Sequence, residues 1–277
     1  MSKAVKIGFC TDFSKSSEIS LETLLFNVWS FECDIHLFHL VEDDNRDDSY
    51  ARLCQLQEEL SNSLDSYQNV EAFLFEKGES LKLIEFLNKG NYISVSIGIT
   101  SFKSDSIMSA FIKELYQNLE MDSAVIPINH EVKIENKGMI GMQYEHLHYL
   151  YALRKYEEYF RFHYARLKIL ILSETSFSNT KLLEVRETID SILKDIKYEL
   201  VVINKSKADK GILQEIENTP LDYFLFPTDD YFHSYISNSI EKDSFPGELK
   251  FSLIRLYITP ENIKRESSFQ RIELKPV

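Results

Sequence analysis

The sequence predicts an α/β protein made of two tandem five-stranded parallel sheets. Short apolar runs alternate with helix-length amphipathic segments along most of the chain, and the same order of segments starts again after residue 137. The length of 277 residues favours two domains over one. Strands separated by segments of helical length are joined by right-handed crossovers, so each sheet is expected to be parallel and Rossmann-like.

The first half opens with an apolar run that ends in the polar turn Thr11-Asp12-Phe13-Ser14, as is typical of a buried strand. The segment after this turn has apolar residues at helical spacing, and the alternation then continues to residue 128. The predicted strands are 4–10, 34–41, 70–76, 92–98 and 124–128, and the predicted helices are 16–31, 49–64, 79–88 and 105–119.

The second half repeats this plan after a polar linker at 130–137. A boundary near Lys133 predicts domains at 1–132 and 133–277. The predicted strands are 138–143, 167–173, 198–204, 221–227 and 251–258, and the predicted helices are 144–166, 181–194, 210–218 and 230–241. The tail at 260–277 is expected either to add an edge strand near 271–274 or to fray.

Charge and hydropathy exclude several classes of partner. There are 31 Lys and Arg residues against 44 Asp and Glu residues, so the net charge of −13 argues against nucleic acid. No segment is apolar for long enough to cross a membrane, and the first apolar run is too short for a signal peptide. Three cysteines without CxxC spacing fit a reducing compartment, so a cytoplasmic location is expected.

The residue types that carry catalysis or bind metals do not occur in the required patterns. The glycines fit neither a dinucleotide fingerprint nor a P-loop, and G-x-S-x-G is absent. His36 and His39 lie three residues apart on a predicted strand and should face opposite sides of the sheet. The histidines of the predicted helix 144–166 lack the i, i+4 spacing of a helical zinc site. The prediction is no catalytic site, no metal and no enzymatic activity.

The predicted helix 144–166 is the best candidate for a partner surface. It interleaves aromatic residues with arginines, and such side chains are common at protein interfaces. The alternative is that the same aromatic residues pack inside the molecule. A protein partner or self-association is therefore expected, without nucleic acid or membrane.

The strand with its T-D-F-S turn, residues 11–14, and the sequence S-A-V-I-P-I at 123–128 resemble the universal stress protein family. The order of elements extends this resemblance over both halves. The resemblance implies sheets of the adenine nucleotide alpha hydrolase type, a cytoplasmic location and a role in stress response. It also implies that the fifth strands, 124–128 and 251–258, pair within one chain as a pseudo-dimer.

Some members of this family bind ATP through a loop with the pattern Gly, two residues, Gly, nine residues, Gly, then Ser or Thr. The glycines allow backbone N–H groups to approach the phosphates. In this chain the pattern falls on Gly98, Ser101, Phe111 and Ile112, so three of its four positions differ. The Phe111 ring is expected where the pattern has no side chain. The matching loop of the second half, 226–231, has two aspartates and no glycine.

These features predict a regulatory or interaction protein of the universal stress type that has no cofactor and does not bind ATP. The alternative is an ATP or AMP sensor whose first domain binds the nucleotide through Asp12, Val41, Gly98 and Ser101. Asp12 has a second interpretation as a turn or helix-capping residue. A third class, a hydrolase or transferase on the same fold, would require turnover that depends on Asp12.

Overall fold

The computed structural model divides into two compact units. Unit 1 contains the described residues up to Val132 and those from Ser239 to Leu253, and unit 2 contains those from Lys133 to Asn238 and from Ile254 onwards. The assignment of functional domains to 1–132 and 133–277 stays a prediction. The described residues are 5–28, 33–41, 46–64, 68–100, 102, 107–131, 133, 135–156, 166–194, 196–228, 230–241 and 249–258.

Unit 1 contains a five-stranded sheet in the order β3-β2-β1-β4-β5. All its paired strands are parallel, which confirms the first predicted α/β domain. Its strands are β1 (Val5–Thr11), β2 (Cys33–Val41), β3 (Asn69–Glu76), β4 (Tyr92–Ile99) and β5 (Asp122–Pro127). Its helices are α1 (Lys15–Val28), α2 (Arg46–Ser63), α3 (Ser80–Lys89) and α4 (Ile107–Asn118).

Unit 2 repeats this order as β10-β9-β6-β7-β8, which confirms the second sheet. Its strands are β6 (Lys137–Gln143), β7 (Arg166–Ser173), β8 (Lys197–Asn204), β9 (Tyr223–Pro227) and β10 (Ser252–Leu256), whose residues from Ile254 belong to this unit. Its α-helices are α5 (Asn179–Leu193), α6 (Ala208–Asn218) and α7 (Tyr231–Glu241). The pairing of the two fifth strands as a pseudo-dimer stays a prediction.

Both faces of the unit 1 sheet are covered by packed side chains. Successive side chains of a strand point to opposite faces, so each buried strand contributes to two cores. On one face, Phe9 and Leu37 pack in a core with Leu53 of α2, and all three are almost completely buried. On the other face, Phe38 stacks on Phe73, and Phe86 of α3 lies edge-on to Phe38. The sheet is therefore a rigid support whose carboxyl edge carries the candidate site.

The segment after β6 differs from the predicted long helix at 144–166. Residues Tyr144–Tyr156 form a 3₁₀ helix with a break at His146, where φ is −105° and ψ is 16°. Leu150 and Leu153 are fully buried in the unit 2 core, and Tyr149 packs against the same core. Tyr144, Tyr149 and Tyr151, whose side chains the structure describes, therefore pack against the core of unit 2. Residues 157–165, on which the predicted partner surface also depends, lie outside the described residues.

No helix among the described residues is both long enough and apolar enough to cross a membrane.

Candidate functional site

Each unit has one place where the order of its strands reverses. In unit 1 this switch point lies between β1 and β4, and in unit 2 it lies between β6 and β9. Open α/β sheets bind their ligands at the carboxyl ends of the strands beside such a point. The two switch points are therefore the candidate sites to be examined residue by residue.

The structure brings the predicted residues of unit 1 to one edge of the sheet. Asp12 follows β1, Val41 is the last residue of β2, and Gly98 is the penultimate residue of β4. Because these strands are parallel, all three residues lie at the carboxyl edge. Ser101 lies outside the described residues, as do Ser104 and Ser106. A binding role for these residues stays a prediction.

Asp12 forms the turn that leads into α1. Its Oδ1 accepts hydrogen bonds from the backbone N–H of Ser14, at 3.0 Å, and from the Ser17 hydroxyl, at 2.6 Å. The Asp12 N–H in turn donates to Ser17 Oγ. An aspartate that binds the backbone two residues ahead makes an Asx turn, which fixes the entry of the chain into the helix. These contacts explain the residue type without a ligand.

Gly98 lies where α1 crosses β4 at very close range. A Cβ atom at this position would lie 2.2 Å from the carbonyl oxygen of Ser16 and 2.6 Å from the backbone nitrogen of Ser17. Any side chain would therefore force helix and strand apart. Hydroxyl pairs join the same two elements, with Ser16 Oγ 3.2 Å from Thr100 Oγ1 and Ser20 Oγ 3.0 Å from Ser96 Oγ. Packing alone thus requires glycine here.

Phe111 lies in helix α4, within the range 105–119 that the sequence predicts for this helix. Helix α4 already begins at Ile107, so Phe111 and Ile112 lie within the helix. Both side chains are fully buried in the core of unit 1. Counted from Gly98, the third glycine position of the pattern is Phe111, which lies inside α4. The Phe111 ring belongs to the hydrophobic core, and its effect on nucleotide binding stays a prediction.

Beside the unit 1 switch point, Phe13 adopts a left-handed backbone conformation with φ of 57°. Its ring lies 4.5 Å from the His39 ring, and the Arg52 guanidinium lies 4.3 Å from its centre. Nδ1 of His39 donates to the Thr11 carbonyl oxygen at 2.7 Å, and burial lowers the pKa of His39. His36 contacts Tyr92 on the opposite face, which confirms the predicted separation of the two histidines.

A groove of about 300 Å³ lies next to this aromatic ring. Phe13 and Leu56 supply apolar surface, while Arg52 is accompanied by Glu18 and Glu59. This mixture of charges gives no strong preference for an anion, because the two carboxylates offset the guanidinium. The groove therefore does not by itself indicate a phosphate site.

In unit 2 the side chain of Asp230 lies at the centre of the switch point and is completely buried. Its Oδ2 accepts from the Gln143 N–H, at 2.9 Å, and from Nδ1 of His146, at 2.8 Å. Its Oδ1 accepts from the Phe232 N–H at 3.2 Å. This network was not predicted, because two of its members lie more than eighty residues from Asp230 in the sequence. The only local signal was the pair of aspartates at the end of β9.

The first two backbone N–H groups of α7 consequently have hydrogen-bond acceptors within the chain itself. Gln143 Oε1 accepts from the Tyr231 N–H at 2.9 Å, and Asp230 accepts from the next N–H group. The first N–H groups of a helix have no partner inside the helix and commonly bind anions. Here a carboxylate and an amide oxygen take these donors. Elsewhere too, no group of His, Cys, Asp and Glu in the described residues could hold a metal ion.

No protein-family model matches the chain, and no curated protein sequence is significantly similar to it. Solved structures do resemble it. A universal stress protein from Archaeoglobus fulgidus is 12% identical with a TM-score of 0.65, and the match covers 92% of this chain and 97% of that one. For a putative universal stress protein from Pseudomonas aeruginosa, the values are 13%, 0.59, and 97% of both chains.

The cytoplasmic domain of a prokaryotic cation chloride cotransporter is also similar, with 10% identity and a TM-score of 0.53 over 91% of this chain and 95% of that one. Identities this low establish the fold alone, but the matches span both halves of the chain. Together with the two five-stranded parallel sheets, they show that this chain has the tandem fold of universal stress proteins, as the T-D-F-S turn and the order of elements predict.

Proposed function

We propose that the chain is a regulatory or interaction protein of the universal stress type, which acts in the stress response without a bound nucleotide and without catalysis. The observation that carries this proposal is the occupied switch point of unit 2. Asp230 and Gln143 already accept hydrogen bonds from the first two N–H groups of α7. A phosphate at this place would have to displace a buried carboxylate of the same sign of charge.

In unit 1 the proposal is supported by the structural roles of the predicted residues. Asp12 is engaged in the turn before α1, and Gly98 is required by the approach of Ser16. Val41 is buried, with 2% of its surface exposed. Each of these residue types is thus accounted for by folding, and none requires a nucleotide.

The likeness to the cytoplasmic domain of a cotransporter supports an interaction role. In that protein the similar fold is the cytoplasmic domain of a cotransporter. We therefore propose a protein partner or self-association for this chain, and a cytoplasmic location. The net charge of −13 favours a partner whose contact surface is basic.

Calorimetric titration of the full chain with Mg²⁺ and ATP, and then with AMP, tests the proposal. The unchanged protein and the Asp12→Ala variant should give the same binding heats, because no nucleotide is expected to bind through Asp12. The matched variant Asp12→Asn keeps an oxygen that can accept from Ser14 and so separates loss of the turn from loss of charge. Micromolar binding that Asp12→Ala abolishes would instead establish the ATP or AMP sensor.

The sensor remains the second candidate because hydroxyl groups gather at the edge of unit 1. Ser14 Oγ and Ser16 Oγ lie 2.8 Å apart. Ser16 Oγ also lies 3.2 Å from Thr100 Oγ1, directly after β4. Hydroxyl groups beside a helix start are suitable donors for phosphate oxygens. Turnover of ATP by the purified protein, lost in Asp12→Ala, would identify a hydrolase and overturn both non-catalytic interpretations.

A further inference from the structure

We propose that the amino-terminal edge of the unit 2 sheet binds a small polyanion with several phosphate groups, on the three cations Lys137, Arg166 and Lys197. These residues are the first of β6, β7 and β8. They are directly in register, since Lys137 is paired with Arg166 and Arg166 with Lys197. The site lies at the opposite end of the strands from the switch point, so it is separate from the nucleotide site considered there.

Register places the three side chains on the same face of the sheet. Neighbouring strands lie about 4.8 Å apart, so the row extends over roughly 10 Å. Like charges in directly opposite positions destabilise a sheet, because they repel each other at close range. A row of three cations therefore works against folding unless an anion offsets it.

Three carboxylates near this row, those of Glu199, Glu215 and Asp222, contact other cations. Lys168 lies 2.9 Å from Glu215 and 3.8 Å from Glu199. Asp222 uses Oδ1 for Lys133 and Oδ2 for the backbone N–H of Lys137. None of the three cations of the row forms an ion pair with a carboxylate among the described residues.

The corresponding edge of unit 1 provides an internal comparison. There the first residues of β1 and β2 in register are Val5 and Cys33, which carry no charge. At the next position of the same edge, Asp34 accepts a hydrogen bond from Asn69. Because both units have the same strand order, the fold itself does not require cations at this place. The row is thus a property of unit 2 alone.

A groove of about 270 Å³ gives the anion room. Its lining includes the three cations, Lys168, Tyr198, Thr219 and one carboxylate, Glu199. Four positive side chains thus surround one negative side chain. Lys168 is held in place by Glu215 and by the Thr219 hydroxyl, each at 2.9 Å. Arg166 offers a planar fork for two phosphate oxygens, and the lysines act as point charges on either side. The small volume and the acidic remainder of the surface exclude a long polymer such as nucleic acid.

Calorimetry with sodium tripolyphosphate tests this site on the full chain. The affinity for tripolyphosphate should fall as salt is added. Inorganic phosphate can contact only one cation at a time, so its affinity should be at least about tenfold lower. The double variant Arg166→Gln with Lys197→Gln should bind tripolyphosphate at least about tenfold more weakly than the unchanged protein. Lys210→Gln, which removes an exposed lysine of α6 outside the row, should leave the affinity unchanged.

Two results would overturn the proposal: no binding of tripolyphosphate at low ionic strength, or equal affinity for the double variant and the unchanged protein. Circular dichroism checks that the double variant is folded, and the single variant Lys137→Gln gives a second measurement at the other end of the row. Asp12→Ala should retain the binding. This variant distinguishes the row from the unit 1 switch point, where binding would disappear with Asp12.

Discussion

The buried carboxylate of Asp230 lies 2.8 Å from Nδ1 of His146, and this contact joins the start of α7 to the segment after β6. The same oxygen accepts from the Gln143 N–H, so one side chain holds three elements of unit 2 together. A buried carboxylate is stable only when such donors surround it. The contact is therefore a structural one, and its removal should be felt in the stability of unit 2.

We expect Asp230→Ala to lower the free energy of unfolding by about 3 kcal/mol, because the buried N–H groups of Gln143 and Phe232 would lose their acceptor. Urea denaturation followed by circular dichroism measures this change. Glu187→Ala is the matched control, since this carboxylate is exposed on α5 and should change stability by less than about 0.5 kcal/mol. Equal stability of the two variants would contradict the structural role of Asp230.

Gly98→Ala should destabilise unit 1 by about 2 kcal/mol, since the new Cβ would lie 2.2 Å from the Ser16 carbonyl oxygen. Gly78→Ala is the matched control, because a Cβ at Gly78 meets no atom within 4 Å. Thermal unfolding of both variants makes the comparison. If Gly98→Ala unfolded at the same temperature as Gly78→Ala, the close approach of α1 to β4 would be disproved.

Asp12→Ala should reduce the free energy of unfolding by about 1 kcal/mol through loss of the turn before α1. Asp12→Asn should lose less, because its side-chain oxygen still accepts from the Ser14 N–H. Urea denaturation without nucleotide measures both. A residue that served only a ligand would show no such ranking in the absence of that ligand.

Stability should fall as the pH is lowered from about 7.5 to about 5.5. Burial is the main cause that lowers the pKa of His36 from 6.5 in the folded protein, and the same cause lowers the pKa of His39. The unfolded chain therefore binds protons first, and protonation below pH 6.5 favours unfolding. Urea denaturation across this range should show a positive slope of stability against pH.

The double variant His36→Gln with His39→Gln should flatten this slope, since glutamine does not titrate. Its amide keeps a hydrogen-bonding group near Tyr92 and near the Thr11 carbonyl oxygen. If the double variant kept the same slope of stability against pH, other titrating groups would be responsible for the pH dependence.

The order of strands was predictable because buried parallel strands are apolar and are separated by amphipathic helices. The predicted strand 34–41 is observed as Cys33–Val41, and 92–98 as Tyr92–Ile99. The long helix at 144–166 was wrong because spacing cannot show that His146 turns towards Asp230. That partner is 84 residues away in the sequence.

The candidate site was predictable in its location but not in its contacts. Asp12, Val41 and Gly98 could be assigned to one sheet edge, since parallel strands end together. The start of α4 was predictable too, since the predicted helix 105–119 is observed as Ile107–Asn118. The cationic row of unit 2 also depends on register, which links residues as distant as Lys137 and Lys197.

The crowding around Gly98 affects how nucleotide binders on this fold can be recognised. A residue that close packing requires is kept whether or not the protein binds a ligand, because replacing it would harm folding in both cases. Glycine at the end of the fourth strand is therefore a poor diagnostic of ATP binding in proteins of this architecture.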